Sequence, residues 1–413
     1  MIVSGVLLVA DDDNQRCTLR NGTLKVSEGI ITEIHWDEVT PSADFGGPGC
    51  LITPGMIDAH LHLPQFPIIG AFGLPLLDWL RQHTFPAEMK WHDVDYARGV
   101  TQAAVEDLLR VGTVGIAAYA TVHHEGTKAA MQVVDQAGMF GVVGQVLMDQ
   151  NGPAGLLREI GSLIDNASSL CQDFEANDFV RHAITPRFAI TCSMELMQQA
   201  AKIAKSFNSH VQTHLSENTD ECKEVERLFG MTYVDVYDQA GLLGPRSLLG
   251  HGIHLDGKDC QRLSERSSII AHCPTANRFL NSGSMNAATL HQHQVSIALG
   301  SDIGAGYERS MVRVAREAVL NAMQVAGGAL SCDQMWYHIT AGNAAKIGHP
   351  HCARIAESCP ANLVIWQPSI EWMIHPTNEP TDRRLDTLMF NWDDRWWRRT
   401  LLQRGSKNQV TFI

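Results

Sequence analysis

The feature that most constrains the fold is an alternation of apolar and amphipathic segments that begins after Pro54. Short apolar runs such as "VGTVGIAAYAT" (111–121), "FGVVGQVLM" (140–148) and "VSIALGSD" (295–302) are each followed by a segment with helical spacing. Continuously apolar strands separated by helices are typical of a parallel sheet that is buried on both faces. About eight such units in about 300 residues predict an α/β fold, a (β/α)8 TIM-type barrel, over an open doubly wound sheet.

One amphipathic segment also predicts its own helix boundaries. "TKAAMQVVDQAG" (127–138) has helical spacing, with Thr127 in the position of an N-cap and Gly138 in the position of a C-terminal stop.

Both ends of the chain are strand-like. "IVSGVLLVA" and "GTLKVSEGIITEIHW" lie within the first 52 residues, and "ANLVIW" (361–366) and "NQVTFI" (408–413) lie near the other end. Because no long linker or repeat separates these segments, the simplest architecture has two domains. Residues 53–359 form the barrel, and residues 1–52 and 360–413 form a small composite β-domain.

Composition and charge exclude several classes of partner. A formal net charge of −13 argues against nucleic acid, whose phosphates would be repelled. No stretch approaches the roughly 18 apolar residues that span a bilayer. The opening "MIVSGVLLVADDD" lacks a cationic leader and meets three aspartates after a short apolar run, so it indicates a strand and not a signal peptide. The sequence therefore predicts a cytoplasmic protein with no membrane partner.

Five polar residues stand where predicted barrel strands end. His60 and His62 end the first strand, and His214, His251 and Asp302 end three later apolar runs. Active-site residues of such barrels lie at the C-terminal ends of the strands, and residues two apart on a strand share a face. A histidine pair alone is a weak signal in a chain with 19 histidines. The five strand-end positions together predict a metal site.

The chemistry of this residue set predicts hydrolysis. Imidazoles and a carboxylate with one position left for water are typical of catalytic Zn²⁺ or Fe²⁺ sites, in which the pKa of bound water falls from about 15.7 towards 7. Glu217, three residues beyond His214, is placed for general acid–base catalysis. Two roles remain open at this point. Asp302 can accept the water proton while it binds the ion, and His251 can hold the attacking hydroxide instead of binding the ion.

With these residues placed, the chain resembles the amidohydrolase superfamily in its deaminase branch, and within that branch the guanine deaminase family. The similarity lies in the segments 54–66 ("PGMIDAHLHLPQF"), 83–88 ("HTFPAE"), 185–188 ("TPRF"), 214–218 ("HLSEN"), 271–283 ("AHCPTANRFLNSG") and 299–307 ("LGSDIGAGY"). Deaminases of adenine nucleosides, cytosine and triazines share the ligand motifs. The Pro64-Gln65 pair, "HTFPAE" and "TPRF" are the specific part.

The resemblance implies a ligand set and a number of ions. The family's metal ligands fall on His60, His62, His214 and Asp302, and the ion is expected to be one Zn²⁺ per chain, with Fe²⁺ as the alternative. Binuclear relatives bridge two metals with a modified lysine at the end of the fourth strand. No lysine occurs between residues 128 and 202, so the expected centre is mononuclear.

The resemblance also implies the substrate contacts, which fall on Gln65, Arg187 and Phe188, with Glu217 as the proton shuttle. An aromatic face suits a planar purine, a guanidinium suits the O6 and N7 acceptors of guanine, and an amide suits its N2/N3 edge. Phe85 is expected to add a pocket wall. The expected reaction is attack of a metal-activated hydroxide at C2 of guanine, which releases ammonia and leaves xanthine, in a homodimeric enzyme.

Two alternatives remain. Arg278, Glu308 and Arg309 depart from the family pattern near the expected mouth of the site and leave room for 8-oxoguanine, a pterin or a triazine. A catalytically silent scaffold of the same fold would instead show an incomplete ligand set or a displaced Glu217.

Overall fold

The computed structural model describes residues 1–325, 330–369, 383–404 and 409–412. In chain order the strands are β1 (Ile2–Asp11), β2 (Arg16–Ser27), β3 (Ile30–Trp36), β4 (Phe45–Pro54), β5 (Met56–His62), β6 (Thr113–Tyr119), β7 (Phe140–Gly144), β8 (Val146–Leu147), β9 (Val180–His182), β10 (Thr185–Pro186), β11 (Val211–Leu215), β12 (Ser247–His251), β13 (Ile269–His272), β14 (Ser296–Leu299), β15 (Leu363–Trp366), β16 (Trp397–Arg404) and β17 (Gln409–Phe412).

Helices connect the strands from β5 onward. They are α1 (Leu76–Trp79), α2 (Phe85–Met89), α3 (Val94–Arg110), α4 (His124–Gln136), α5 (Ile160–Asp173), α6 (Met194–Ser206), α7 (Thr219–Phe229), α8 (Tyr233–Ala240), α9 (Gly257–Glu265), α10 (Pro274–Phe279), α11 (Ala287–Gln292), α12 (Met311–Gln324), α13 (Cys332–Tyr337), α14 (Asn343–Lys346) and α15 (Arg384–Asn391). A π-helical turn, Leu80–Thr84, joins α1 to α2, and another, His338–Gly342, joins α13 to α14. Among the described residues, no helix combines the length and apolarity needed to cross a membrane.

The strands β5 to β14 form the barrel. One parallel sheet runs β5-β6-β7-β9 and a second runs β11-β12-β13-β14, and the short pair β8-β10 lies at their junction. A parallel bridge between Ile184 and Val211 connects the two sheets. On the other side, the backbone N–H of Asp302 donates to the carbonyl of His60 at 2.8 Å and closes the ring between β14 and β5.

Burial explains the apolar runs of the sequence. Every residue of β5, β6, β7, β12 and β13 is buried, because one face of each strand looks into the barrel and the other packs under helices. The amphipathic segments supply the covering layer. In α3, for example, Ala97, Val105 and Leu108 form part of the buried face.

The predicted start of α4 is wrong, whereas its predicted stop is confirmed. The helix begins at His124, three residues before Thr127, which is buried inside it. Thr121 explains the earlier start, because its Oγ1 accepts the N–H of His123 at 3.2 Å and turns the chain towards the helix. Gly138 follows the last turn at φ +77°, a conformation that glycine adopts without strain.

A seven-stranded sheet combines strands from both ends of the chain in the order β17-β16-β15-β4-β1-β2-β3. β4 is parallel to β1 and antiparallel to β15, with Ile52 opposite Ile365. Gly55 joins β4 directly to β5, the first barrel strand. A Cβ at Gly55 would lie 2.1 Å from Cγ2 of Val114, so this close crossing over β6 requires glycine. The position of the sheet therefore sets the direction in which β5, with the two histidines at its end, enters the barrel.

Tryptophans anchor the segment 390–399 ("FNWDDRWWRR"). The ring of Trp392 lies 4.5 Å from that of Trp366, 5.4 Å from that of Trp336 and 5.6 Å from that of Trp396. Truncation of the fully buried Trp366 to alanine would cost about 3–5 kcal/mol of unfolding free energy. Residues 370–382 and 405–408, which the sequence assigns to the β-domain, lie outside the described residues.

Candidate functional site

The five strand-end residues meet at one end of the barrel. His60 and His62 lie at the end of β5, His214 is the last but one residue of β11, and His251 is the last residue of β12. Asp302 follows β14 by three residues. Four of these side chains are buried, and His214 is partly exposed to the adjoining cavity. Parallel strands bring their C-terminal ends to one rim, which is why residues as far apart as His60 and Asp302, 242 positions, come together.

The ligand atoms of these side chains form one tight group. The Nε2 atoms of His60 and His62 each lie 3.3 Å from Oδ1 of Asp302. The Nε2 atoms of His62 and His214 are 3.1 Å apart. One ligand atom from each of His60, His214, His251 and Asp302 lies within 4.8 Å of all the others. This spacing surrounds a position for a single ion.

The protonation of these imidazoles fits a cation. Burial lowers the pKa of His62 to about 3, and burial together with the neighbouring imidazoles lowers the pKa of His214 well below its usual value. Within the described part of the chain, the buried Nε2 atoms of His60 and His251 have no hydrogen-bond partner. Unpartnered buried nitrogens are costly, and neutral imidazoles are the form that binds metal. The donor set therefore fits a divalent ion such as Zn²⁺ or Fe²⁺.

Hydrogen bonds on the far side of two rings set their orientation. Nδ1 of His214 donates to the carbonyl of Arg187 at 2.6 Å, and Nδ1 of His251 donates to Oδ1 of Asn277 at 2.9 Å. Both bonds leave the lone pair of Nε2 pointing at the ligand group. Outer partners of this kind fix the tautomer and the ring orientation of metal-binding histidines.

Asp58 ties the first and last barrel strands together below the ligands. Its carboxylate accepts the N–H of His60 at 3.1 Å, the N–H of Ser301 at 3.0 Å and the hydroxyl of Ser301 at 2.5 Å. A Cβ at Gly300 would lie 2.6 Å from Cβ of His60, so the approach of the two strands requires glycine. Asp302 itself has φ +52°, a conformation that costs about 1–3 kcal/mol in a residue other than glycine.

The electrostatic surroundings of Asp302 favour its ionised form. Burial by itself raises the pKa of this carboxyl, but the adjacent imidazoles of His60 and His62 outweigh burial and hold the pKa well below its usual range. The ionised carboxylate of Asp302 places one negative charge at the position of the ion.

Glu217 lies above the group on the turn that follows β11. The hydroxyl of Ser282 donates to its Oε1 at 2.8 Å, and its Oε2 lies 3.5 Å from Nε2 of His251. Burial, and then the charge of Asp302, raise the pKa of Glu217. A buried carboxyl with a raised pKa next to this group of side chains can hold and release a proton.

A second buried glutamate fixes that turn. Oε2 of Glu221 accepts the N–H groups of Glu217 at 3.0 Å and Asn218 at 3.1 Å, and Oε1 accepts the hydroxyl of Tyr233 at 2.7 Å. The same contacts complete a capping box at the start of α7. Burial, and then the charge of Glu217, raise the pKa of Glu221 to about 7. The position of Glu217 therefore depends on the first turn of a helix.

The ligand group opens into a cavity. His62, His214, His251, Asp302 and Glu217 line one side. The other sides are lined by polar Gln65 and Arg187 and by apolar Phe188, Leu76, Trp79 and Leu80. The cavity therefore brings three of the predicted substrate contacts to the candidate metal centre.

Behind the polar side of the cavity lies a buried glutamate that was not predicted as a site residue. Glu88 in α2 accepts Nη1 of Arg187 at 2.7 and 2.9 Å and Nε2 of Gln65 at 3.2 Å. The N–H of Gly304 donates to Oε1 of Gln65 at 3.2 Å. Phe85, expected to be a pocket wall, does not line the cavity. Its ring lies 5.4 Å from the guanidinium carbon of Arg187, so it supports that side chain from behind.

The residues that depart from the family pattern also lie off the cavity. Arg278 pairs with Glu317 at 2.7 Å, and Arg309 pairs with Asp107 at 3.1 Å, both partners being on outer helices. Neither arginine, nor Glu308, lines the cavity. The space that these departures were expected to give a larger heterocycle is not found at these residues.

Comparison with known proteins agrees with this geometry. Residues 51–403 match the Amidohydrolase family. The chain belongs to this family. A guanine deaminase of Escherichia coli (strain K12) is 38% identical over 303 residues, which cover 73% of this amidohydrolase and 69% of that protein. The solved E. coli guanine deaminase aligns with a TM-score of 0.90 at 31% identity, covering 99% of each chain. A guanine deaminase from C. acetobutylicum, solved with guanine bound in its active site, aligns at 0.88 and 27% identity, covering 98% of this chain and 99% of that one.

The family and the barrel fold class predicted from the sequence of this amidohydrolase are confirmed. The supporting residues of the site were missed, namely Asp58, Glu88, Glu221, Asn277 and Ser282. Asp58 carried a usable signal, because it shares a strand face with His60 and His62. Glu221 carried another as the third residue after a capping Asn218. The partners of Asn277 and Ser282 lie 26 and 65 residues away, so no local pattern identifies them.

Proposed function

We propose that this amidohydrolase is a metal-dependent guanine deaminase, which converts guanine and water to xanthine and ammonia. One observation carries the proposal: the candidate metal centre and the wall formed by Gln65, Arg187 and Phe188 face the same cavity. The similarity to a deaminase with guanine in its active site supports it.

The proposed metal is a single divalent ion, zinc first and iron second, held by His60, His62, His214 and Asp302. When bound, the ion supplies a Lewis acid that makes water nucleophilic near neutral pH. We assign His251 to the attacking water, because its Nε2 faces Glu217 at 3.5 Å as well as Asp302 at 3.8 Å. In that place it holds the water against C2 of the purine.

Two carboxyls move the protons. Asp302 accepts a proton from the water as it attacks, since its low pKa keeps it ionised and available as an acceptor. Glu217, whose pKa burial raises, first protonates the ring nitrogen next to C2. It then takes the remaining proton of the new hydroxyl at C2 and passes it to the departing amino group, which leaves as ammonia, and the proton held by Asp302 finally restores Glu217. The oxygen of the attacking water remains at C2. Its two protons balance the one added to the ring nitrogen and the one added to the departing amino group.

Arg187, Gln65 and Phe188 are the residues expected to recognise the purine. Nη2 and Nε of Arg187 remain for the O6 and N7 acceptors, because the contacts of Arg187 with Glu88 use Nη1. Gln65 offers an amide N–H and an oxygen lone pair to the N2/N3 edge. Phe188 supplies an apolar face for the ring.

We also propose a domain organisation, a location and a subunit number for this amidohydrolase. Residues 53–359 are the catalytic barrel, and residues 1–52 and 360–413 are the composite β-domain. The enzyme is cytoplasmic, and it is a homodimer, as the family resemblance implies. Light scattering on the eluting protein would measure the subunit number, and a monomeric mass would reject the dimer.

An ammonia-release assay tests the proposed substrate. The metal-loaded protein is compared on guanine, 8-oxoguanine, adenine, cytosine and a pterin. We expect kcat/KM for guanine to exceed that for each of the others by at least about tenfold, one unpaired buried hydrogen-bonding group being worth that much. A higher value for 8-oxoguanine or the pterin would assign the enzyme to that substrate. Failure with all five would support a silent scaffold.

A further inference from the structure

The carboxylate of Glu88 is buried behind the cavity wall and touches two of the side chains that face the proposed substrate. Glu88 and Gln65 are each 1% exposed, and Arg187 is 2% exposed. Hydrogen bonds connect all three side chains at 2.7 to 3.2 Å. Glu88 itself does not line the cavity, whereas Gln65 and Arg187 do.

The contact with Glu88 determines which atoms of Arg187 are left for a ligand. Both carboxylate oxygens of Glu88 accept from Nη1. A guanidinium has five N–H donors in a rigid plane, so fixing Nη1 also fixes the directions of Nη2 and Nε. Among the described residues, Nη2 and Nε make no hydrogen bond. The planar cation therefore presents a fixed edge to the cavity.

The same carboxylate sets the orientation of the Gln65 amide. Glu88 accepts from Nε2, and the N–H of Gly304 donates to Oε1 on the other side. Since a carboxylate only accepts and a backbone N–H only donates, a flipped amide would lose both bonds. One N–H and one lone pair of Gln65 remain, with their positions fixed.

We propose that Glu88 is a positioning residue for substrate recognition, which holds Arg187 and Gln65 together as one template for the O6 and N2/N3 edges of guanine. This inference rests on the proposed function. Glu88 also supplies the counter-charge without which a guanidinium at 2% exposure would be unpaired. Glu88 acts through Arg187 and Gln65 and does not touch the substrate.

A comparison of two substrates separates positioning from mere support of the fold. Guanine has an oxygen at C6, whereas 2-aminopurine carries the same amino group at C2 without it. In Glu88→Gln, we expect kcat/KM for guanine to fall at least about tenfold, mainly through KM, because a charge-assisted bond to O6 is lost. For 2-aminopurine, which lacks O6 but keeps the N2/N3 edge that Gln65 contacts, kcat/KM should fall at least about threefold less than for guanine. A carboxylate that only supports the fold would lower both values equally, and that result would overturn the proposal.

A double-mutant cycle gives a second, independent readout. If Glu88 acts through Arg187, Glu88→Gln should change the guanine to 2-aminopurine ratio by less than about twofold in an Arg187→Met background. If the effects of the two substitutions on this ratio were instead additive, the proposal would be overturned. The double variant also removes both buried charges, so it remains informative if Glu88→Gln alone does not fold.

Two controls complete the experiment. Asp173→Asn breaks an ion pair with Lys128, which is 2.7 Å long and lies on the outside of the barrel. This variant should leave kcat/KM for both substrates unchanged. Wild-type turnover of guanine is measured first. Its absence would reject the proposed function and this inference with it, whereas an active wild type with an unchanged ratio in Glu88→Gln would reject the role of Glu88 alone.

Discussion

Replacement of Glu217 by glutamine should stop turnover without removing the metal. The amide has the shape of the carboxyl, so Oε1 can still accept the hydroxyl of Ser282 that lies 2.8 Å away. The unfolding free energy should therefore change by less than about 1 kcal/mol. What the variant loses is the proton, and general acid–base catalysis contributes about 10²–10⁴ in rate. The expected fall in kcat corresponds to about 3–5 kcal/mol in the activation free energy.

The assay combines steady-state ammonia release with metal analysis of the same preparation. Because Glu217 is not one of the four proposed ligands, metal content should stay near that of the wild type. Ser282→Ala is the matched control. It removes the hydrogen bond but not the carboxyl, and it should cost no more than about tenfold. Turnover of Glu217→Gln within tenfold of the wild type would refute the proton-shuttle role, and loss of metal would make Glu217 a ligand.

Three other predictions follow from the site. Arg187→Ala should raise KM for guanine at least about tenfold, and unchanged steady-state kinetics would remove Arg187 from the substrate wall. Elemental analysis should find one ion per chain, and treatment with a chelator should abolish activity until zinc is returned; two ions per chain would contradict the mononuclear centre. Burial and the charge of Glu217 raise the pKa of Glu221 to about 7 from 4.5, so the folded state keeps a proton that the unfolded chain releases. The contribution of Glu221 to stability should therefore fall by up to about 3 kcal/mol between pH 4.5 and 7. Urea titrations should show this loss as a difference in pH dependence between the wild type and Glu221→Gln; an identical pH dependence in the variant would contradict the raised pKa.

The convergence of the five strand-end residues was predictable because it depends on a regular pattern. Strands of a parallel barrel end at one rim, so polar residues that end apolar runs, such as His214 and His251, come together wherever they stand in the sequence. Because the strands are buried on both faces, each of them appears in the sequence as a continuous apolar run.

The parts that were not predictable depend on contacts between distant segments. Phe85 was expected on the cavity wall, but the helical segment that carries it turns the ring under Arg187, about 100 positions later in the chain. Glu88 in the same segment has a partner at the same separation, and no local pattern distinguishes a buried glutamate from a solvated one. The predicted start of α4 was wrong for a local reason. A turn at Thr121 begins the helix at His124, so Thr127 does not cap it.

The central claim is that one metal centre hydrolyses guanine at C2. The most direct measurement is the reaction of the zinc-loaded protein with guanine in water labelled with heavy oxygen, followed by mass spectrometry of the purine product and quantitation of ammonia. We expect xanthine with one labelled oxygen and one ammonia per turnover, with no product from chelated protein. Absence of xanthine, xanthine without the label, or full activity after chelation would contradict it.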